Sequence, residues 1–157
     1  VKKNIDYGNS PLHDAAFLGD VDNIKQCMEE HANVNACNKD DETPLHLAAV
    51  KNQTQSVKLL LSAGANASAE NKYGNTPLHN AAGCGNPATV QLLVDADAKV
   101  NVQNSKGMTA LHNAAKKGFE KIVTLLIHHG ADVQLENSKG ERAFDLATTE
   151  EMKTWLL

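Results

Sequence analysis

The stretch ETPLHLAAVKNQ, Glu42 to Gln53, carries a histidine, His46, at the start of a short apolar run. Near-copies stand at Ser10 (SPLHDAA), Thr76 (TPLHNAA) and Thr109 (TALHNAA), which puts His13, His46, His79 and His112 in matching places. Such a set is either a row of metal ligands or catalytic bases, or one structural part used repeatedly. The interval between the copies decides which.

Ser10, Thr43, Thr76, Thr109 and Arg142 are each 33 residues apart, and Gly8, Asp41, Gly74, Gly107 and Gly140 keep the same interval. So do Gly19, Asn52, Gly85 and Gly118, and so do His31, Gly64, Asp97 and Gly130. Each register has a local physical reading. Thr43 suits an N-cap, because its hydroxyl accepts from the free amides of a first turn. Pro44 follows at the position where a missing N–H costs nothing. Leu45, Ala48 and Ala49 give the first helix an apolar side, and the small alanines let a second helix approach. Gly19, Gly85 and Gly118 end that helix in the left-handed conformation, which Asn52 also tolerates. Val57, Leu59, Leu60 and Leu61 supply the second helix. Gly64 terminates it, and 65–75 reads as an extended hairpin turning at Gly74.

A 33-residue period carrying T-P-L-H-x-A resembles the ankyrin-repeat family over nearly the whole chain. The resemblance implies an all-α-type solenoid of about five repeats, each a β-hairpin or turn plus two antiparallel helices. The repeats fall at 5–37, 38–70, 71–103, 104–136 and 137–157, one domain over 1–157 with its first and last repeats acting as caps. In the first repeat, Gln26, Cys27 and Met28 replace the Leu59, Leu60 and Leu61 of the second, as an outer helix requires. The last repeat replaces T-P-L-H with Arg142-Ala143-Phe144-Asp145, and its helix connection is shorter by about three residues. Thr148 and Glu151 are expected to form a capping box for the final helix. His31 and Asp97 at a glycine position are expected to cost about 1 kcal/mol each. Asn38, Asn71, Asn104 and Asn137 stand where the family usually has Asp, and can make the same local turn bonds.

The histidines do not suit chemistry. Two imidazoles sharing a zinc must each come within about 2.1 Å of it, whereas neighbouring helices pack roughly 8–10 Å apart. His128 and His129 are consecutive and diverge on a helix. There is no GxSxG, no glycine-rich phosphate loop and no HExxH. Cys84, five residues after His79, points to another side of its helix. Asp40, Asp41 and Glu42 read as a solvated acidic turn. In ankyrin repeats the motif histidine bonds to the neighbouring hairpin or to its own helix start, and that is the expectation here, with no metal and no cofactor. A metal-dependent enzyme built on the histidine ladder is the alternative from a different functional class.

Bulk properties narrow the field. The chain has 157 residues, 4% aromatic, with a formal net charge of −4, which argues against nucleic-acid binding through global charge. No apolar run reaches membrane-spanning length. The unpatterned Cys27, Cys37 and Cys84 suit a reducing compartment, so an intracellular site, cytoplasmic or nuclear, is expected. The first residue is Val1, which leaves open a targeting or adaptor segment of a larger protein such as a channel, an effector or a ubiquitin-ligase adaptor.

By resemblance, a partner protein is expected on the concave face, made of hairpin tips and the exposed side of the first helices. Carried over residue by residue, the strip contains Asp6, Tyr7 and Asn9; Lys39, Asp40 and Glu42; Lys72, Tyr73 and Asn75; Ser105, Lys106 and Met108; and Ser138, Lys139 and Glu141. The first helices add Phe17 and Leu18, Val50 and Lys51, Gly83 and Cys84, and Lys116 and Lys117. Tyr7, Phe17, Leu18, Val50, Tyr73 and Met108 are the candidate anchors, and Lys106, Lys116, Lys117 and Lys139 suit an acidic partner segment. Asn35 after Val34 and Asn101 after Val100 match, by resemblance, the positions at which such repeats undergo asparaginyl hydroxylation.

Overall fold

The structure, a computed structural model, describes residues 7–157; Asp6 and the first residues of the first repeat lie outside that range. Helices follow in pairs: α1 (Pro11–Leu18) and α2 (Val21–Glu29), α3 (Pro44–Val50) and α4 (Thr54–Ser62), α5 (Pro77–Cys84) and α6 (Pro87–Asp95). They continue as α7 (Ala110–Lys117) and α8 (Glu120–His128), then the short α9 (Ala143–Leu146) and α10 (Glu150–Trp155). The odd-numbered helices stack on one another in order, as do the even-numbered ones, giving two helical layers. The core lies between the layers. Leu45, Ala48, Ala49, Val57 and Leu60 are fully buried there, as are their counterparts in the third and fourth repeats.

Local chemistry places the helix ends. Thr43, Thr76 and Thr109 each accept from the N–H three residues on, and Ser10 does the same for α1. Gly85 ends α5 at φ 74. A side chain there would be strained by that φ, and its Cβ would lie 2.8 Å from the Phe119 ring of the next repeat. Asn52, His31 and Asp97 take the same left-handed conformation without being glycine, at φ 55, 60 and 59.

Three expectations are refined by the structure. The loops between repeats contain no strand among the described residues. Each tip closes on one cross-arm bond, such as Asn71 N–H to the Asn75 carbonyl at 2.9 Å, and on one bond to the preceding tip, such as Ser105 N–H to the Tyr73 carbonyl at 3.0 Å. The arms are too short for a ladder to develop. Secondly, α10 is capped by Thr149, whose hydroxyl accepts from Met152 N–H at 3.1 Å, and not by Thr148. Met152 has to be buried in the position Ile122 fills one repeat earlier, and that phase starts the helix one residue later than the capping-box pattern suggests. Thirdly, Asp40 is not simply solvated: its carboxylate accepts from the Lys72 ammonium of the next repeat.

Candidate functional site

The motif histidines form a chain of clamps between repeats. In His46 the Nδ1 atom accepts from Thr43 N–H at 3.1 Å and from the Thr43 hydroxyl at 2.9 Å, while Nε2–H donates to the Asn75 carbonyl at 2.9 Å. His13 reaches the Glu42 carbonyl at 2.8 Å, His79 that of Met108 at 2.8 Å, and His112 that of Glu141 at 3.0 Å. A backbone N–H can only donate, so Nδ1 must carry the lone pair and Nε2 the proton. Burial pushes His46 and His79 below the usual histidine range, partly opposed by their bonds to the Asn75 and Met108 carbonyls. Both ring nitrogens are therefore occupied by bonds within the array. In the last repeat Asp145 stands in the histidine's place. Its carboxylate accepts from Arg142 N–H at 2.8 Å, which closes the helix start without reaching for a further tip.

Asn38, Asn71, Asn104 and Asn137 organise the tips. Each side-chain oxygen accepts two backbone N–H groups, as Asn104 does from Lys106 at 3.0 Å and Met108 at 3.0 Å. Those bonds turn the amide nitrogen toward other partners. Asn104 donates to the Asn75 side chain at 2.8 Å, Asn38 to Asn9 at 2.9 Å, and Asn137 to the Met108 sulfur at 3.4 Å. An aspartate would make the turn but not these inter-repeat bonds. Asn35 and Asn101 act similarly at the other end of the loops, donating to the Gly64 and Gly130 carbonyls at 3.3 and 3.1 Å.

Among the described residues no group of three or more His, Cys, Asp or Glu is arranged to hold a metal ion. His128 and His129 meet edge to face, with ring centroids 5.4 Å apart, and His129 donates to the Leu125 carbonyl at 2.9 Å. Cys27, Cys37 and Cys84 are free thiols.

One open groove combines charge with apolar surface. It encloses about 700 Å³ between the tips of the last three repeats and the first helices, and Lys106, Lys116, Lys117 and Lys139 line it together with Met108 and Leu146. None of these lysines forms an ion pair among the described residues. Its carboxylate, Glu141, accepts from the Asn137 amide at 2.9 Å.

A family model described as "Ankyrin repeats (3 copies)" matches residues 12–104, 50–137 and 85–156, which together cover most of the chain. The chain belongs to the ankyrin-repeat family. No curated protein matches it in sequence. Ankyrin repeats are generally protein–protein interaction modules and are typically not enzymes. Among the described residues no helix is long and apolar enough to cross a membrane.

Within this ankyrin array the sequence-derived strip divides into parts. Asn75, Met108, Lys106, Lys116 and Lys117 come together in the basic groove. Phe17 and Tyr73 are exposed but partly occupied, since the Lys51 and Lys72 ammonium groups lie 4.8 and 5.0 Å from their ring centroids. Tyr7 is half exposed, at 49%. Asn9 and Glu42 serve the tips: Asn9 accepts from Asn38, and the Glu42 carboxylate accepts from the same amide at 3.3 Å. Val50 is half-buried and Cys84 exposed at the end of α5. Leu18, 70% exposed, lines a different surface, the open end of the first repeat, with Pro11, Asp14 and Cys27. The Asp40–Lys72 pair went unseen in the sequence, although opposite charges one repeat apart at neighbouring tip positions were a usable signal. The Asp40 hydrogen bond raises the Lys72 pKa.

Proposed function

We propose that this ankyrin array binds another protein through its tip-and-first-helix strip, and that the basic groove at the C-terminal end takes an acidic segment of that partner. The observation that carries the reading is the convergence of Lys106, Lys116, Lys117 and Lys139, without internal partners among the described residues, around a groove that also exposes Met108 and Leu146. Four lysines around one groove that holds a single carboxylate, Glu141, favour an anionic partner. The free thiols support a reducing, intracellular setting, in the cytoplasm or nucleus.

The test is an affinity capture from cell extract comparing wild type with the double variant Lys116→Glu and Lys117→Glu. The expected result is loss of a wild-type-specific partner while circular dichroism and melting stay unchanged. Retention of every partner by the charge-reversed protein would refute the groove assignment.

A further inference from the structure

Gly83 departs from its register in a way the fold does not require. The same first-helix position carries Phe17, Val50 and Lys116 in the first, second and fourth repeats. Gly83 lies inside α5 and does not have a positive φ, so no turn calls for glycine, and glycine weakens a helix interior relative to alanine. Close packing does not call for it either. A Cβ at Gly83 would touch only the Asn113 side chain, at 3.8 and 3.9 Å, which is ordinary contact. What the missing side chain does is open the wall of the basic groove beside Met108 and Lys116.

Several of the polar side chains that line the groove already have partners. Asn75 accepts from Asn104, the Asn137 amide donates to the Met108 sulfur and to Glu141, and the Asn113 amide points to the His79 carbonyl at 3.4 Å. Beyond these the groove offers carbon surface from Gly83, Met108 and Leu146, the lysine head groups, and the Ser105 and Ser138 hydroxyls at the tips. Glu141 adds one negative charge to the groove lining, which the four lysines outnumber, so a ligand's carboxylates are drawn to the lysines.

We propose that the Gly83 hollow is a specificity pocket for one apolar side chain of the partner segment, with acidic residues on either side of it held by Lys106, Lys116, Lys117 and Lys139. This rests on the protein-binding reading above and adds a sequence requirement to it: glutamate or aspartate flanking a single leucine-sized residue. A purely acidic segment would satisfy the lysines and leave the hollow wet.

Two synthetic peptides test it, one of glutamates around a central leucine and the other with alanine in the leucine's place, titrated into the full chain and followed by NMR shift changes. Wild type should bind the leucine peptide about tenfold more tightly, in line with burial of most of a leucine side chain. Gly83→Val fills the hollow with the side chain the second repeat already carries at Val50. It should abolish the leucine preference, keep the weaker binding of the alanine peptide, and melt at or above the wild-type temperature. Lys116→Glu with Lys117→Glu should weaken both peptides alike. Equal binding of the two peptides by wild type, or a preference that survives Gly83→Val, overturns the pocket while leaving the acidic-segment reading in place. Failure of wild type to bind either peptide overturns both.

Discussion

Truncating His79 to alanine should cost the array about 3–5 kcal/mol at neutral pH. The ring holds two backbone groups at once, the Thr76 N–H at 3.0 Å and the Met108 carbonyl at 2.8 Å. Thr76 and His79 are 1% and 2% exposed, so water does not take over the bond to Thr76, while Met108 is half-buried. Each buried group left unpaired costs roughly 1–3 kcal/mol, and the vacated volume adds part of a cavity cost. Urea unfolding followed by circular dichroism reads the difference. Acidity supplies a second readout. Burial is the main cause holding His79 below its ordinary value of 6.5; the Met108 carbonyl and the charge of Glu70 pull it up, and neighbouring His46 pushes it down. The unfolded chain therefore binds the proton first. The neutral ring's contribution is complete above 6.5 and is lost as the pH falls from there through the folded-state value. The advantage of wild type over His79→Ala should accordingly narrow on acidification below 6.5. A neutral-pH difference under about 1 kcal/mol, or one that stays constant with falling pH, would refute the role of a neutral, doubly bonded clamp.

Ser56 is fully buried on α4, and its hydroxyl has no hydrogen-bond partner among the described residues; Ser56→Ala should raise stability by about 1 kcal/mol, read as a higher melting temperature. Asp97→Gly should stabilise by about 0.5–1 kcal/mol, because Asp97 is held at φ 59 where the equivalent Gly64 and Gly130 sit at φ 90 and 88 with open space around them; a lower urea midpoint would count against left-handed strain at that position. Asn104→Asp should keep the turn but lose about 1–2 kcal/mol, since it replaces the donor facing the Asn75 oxygen with a second acceptor; Asn75→Ala should recover part of that loss in a double-mutant cycle.

What the sequence exposed was the chemistry that is local in the chain. Helix caps, left-handed helix ends and the histidine at the third helical position all follow from residues within one repeat, and the 33-residue interval multiplies each into a visible register. The clamp from histidine to the next tip was expected by resemblance to the family, and the interval only repeats it from one unit to the next. Cross-repeat detail was harder. Thr148 and Thr149 are adjacent, and the choice between them is made by the burial of Met152, a tertiary constraint. The asparagines looked like neutral stand-ins for aspartate because their donation to Asn9, Asn75 and Met108 spans 29 residues. The hollow at Gly83 is an absence, and absences become visible only when the neighbouring side chains are placed around them.

The structure also bears on where along the strip a partner gains most. At the N-terminal half the cations are already engaged: Lys51 lies over Phe17, and Lys72 lies over Tyr73 and donates to Asp40. A ligand that takes those lysines or covers those rings first gives up contacts the free protein already makes. At the C-terminal half, Lys106, Lys116, Lys117 and Lys139 have no such contacts among the described residues, and the tip amides around them are fixed by the asparagine network. A ligand there meets unengaged charge on a preorganised frame, so its net gain per contact is larger. The first and strongest contacts of the proposed partner therefore belong to the third, fourth and fifth repeats, with Tyr7, Phe17 and Tyr73 left to extend the interface once the acidic segment is seated.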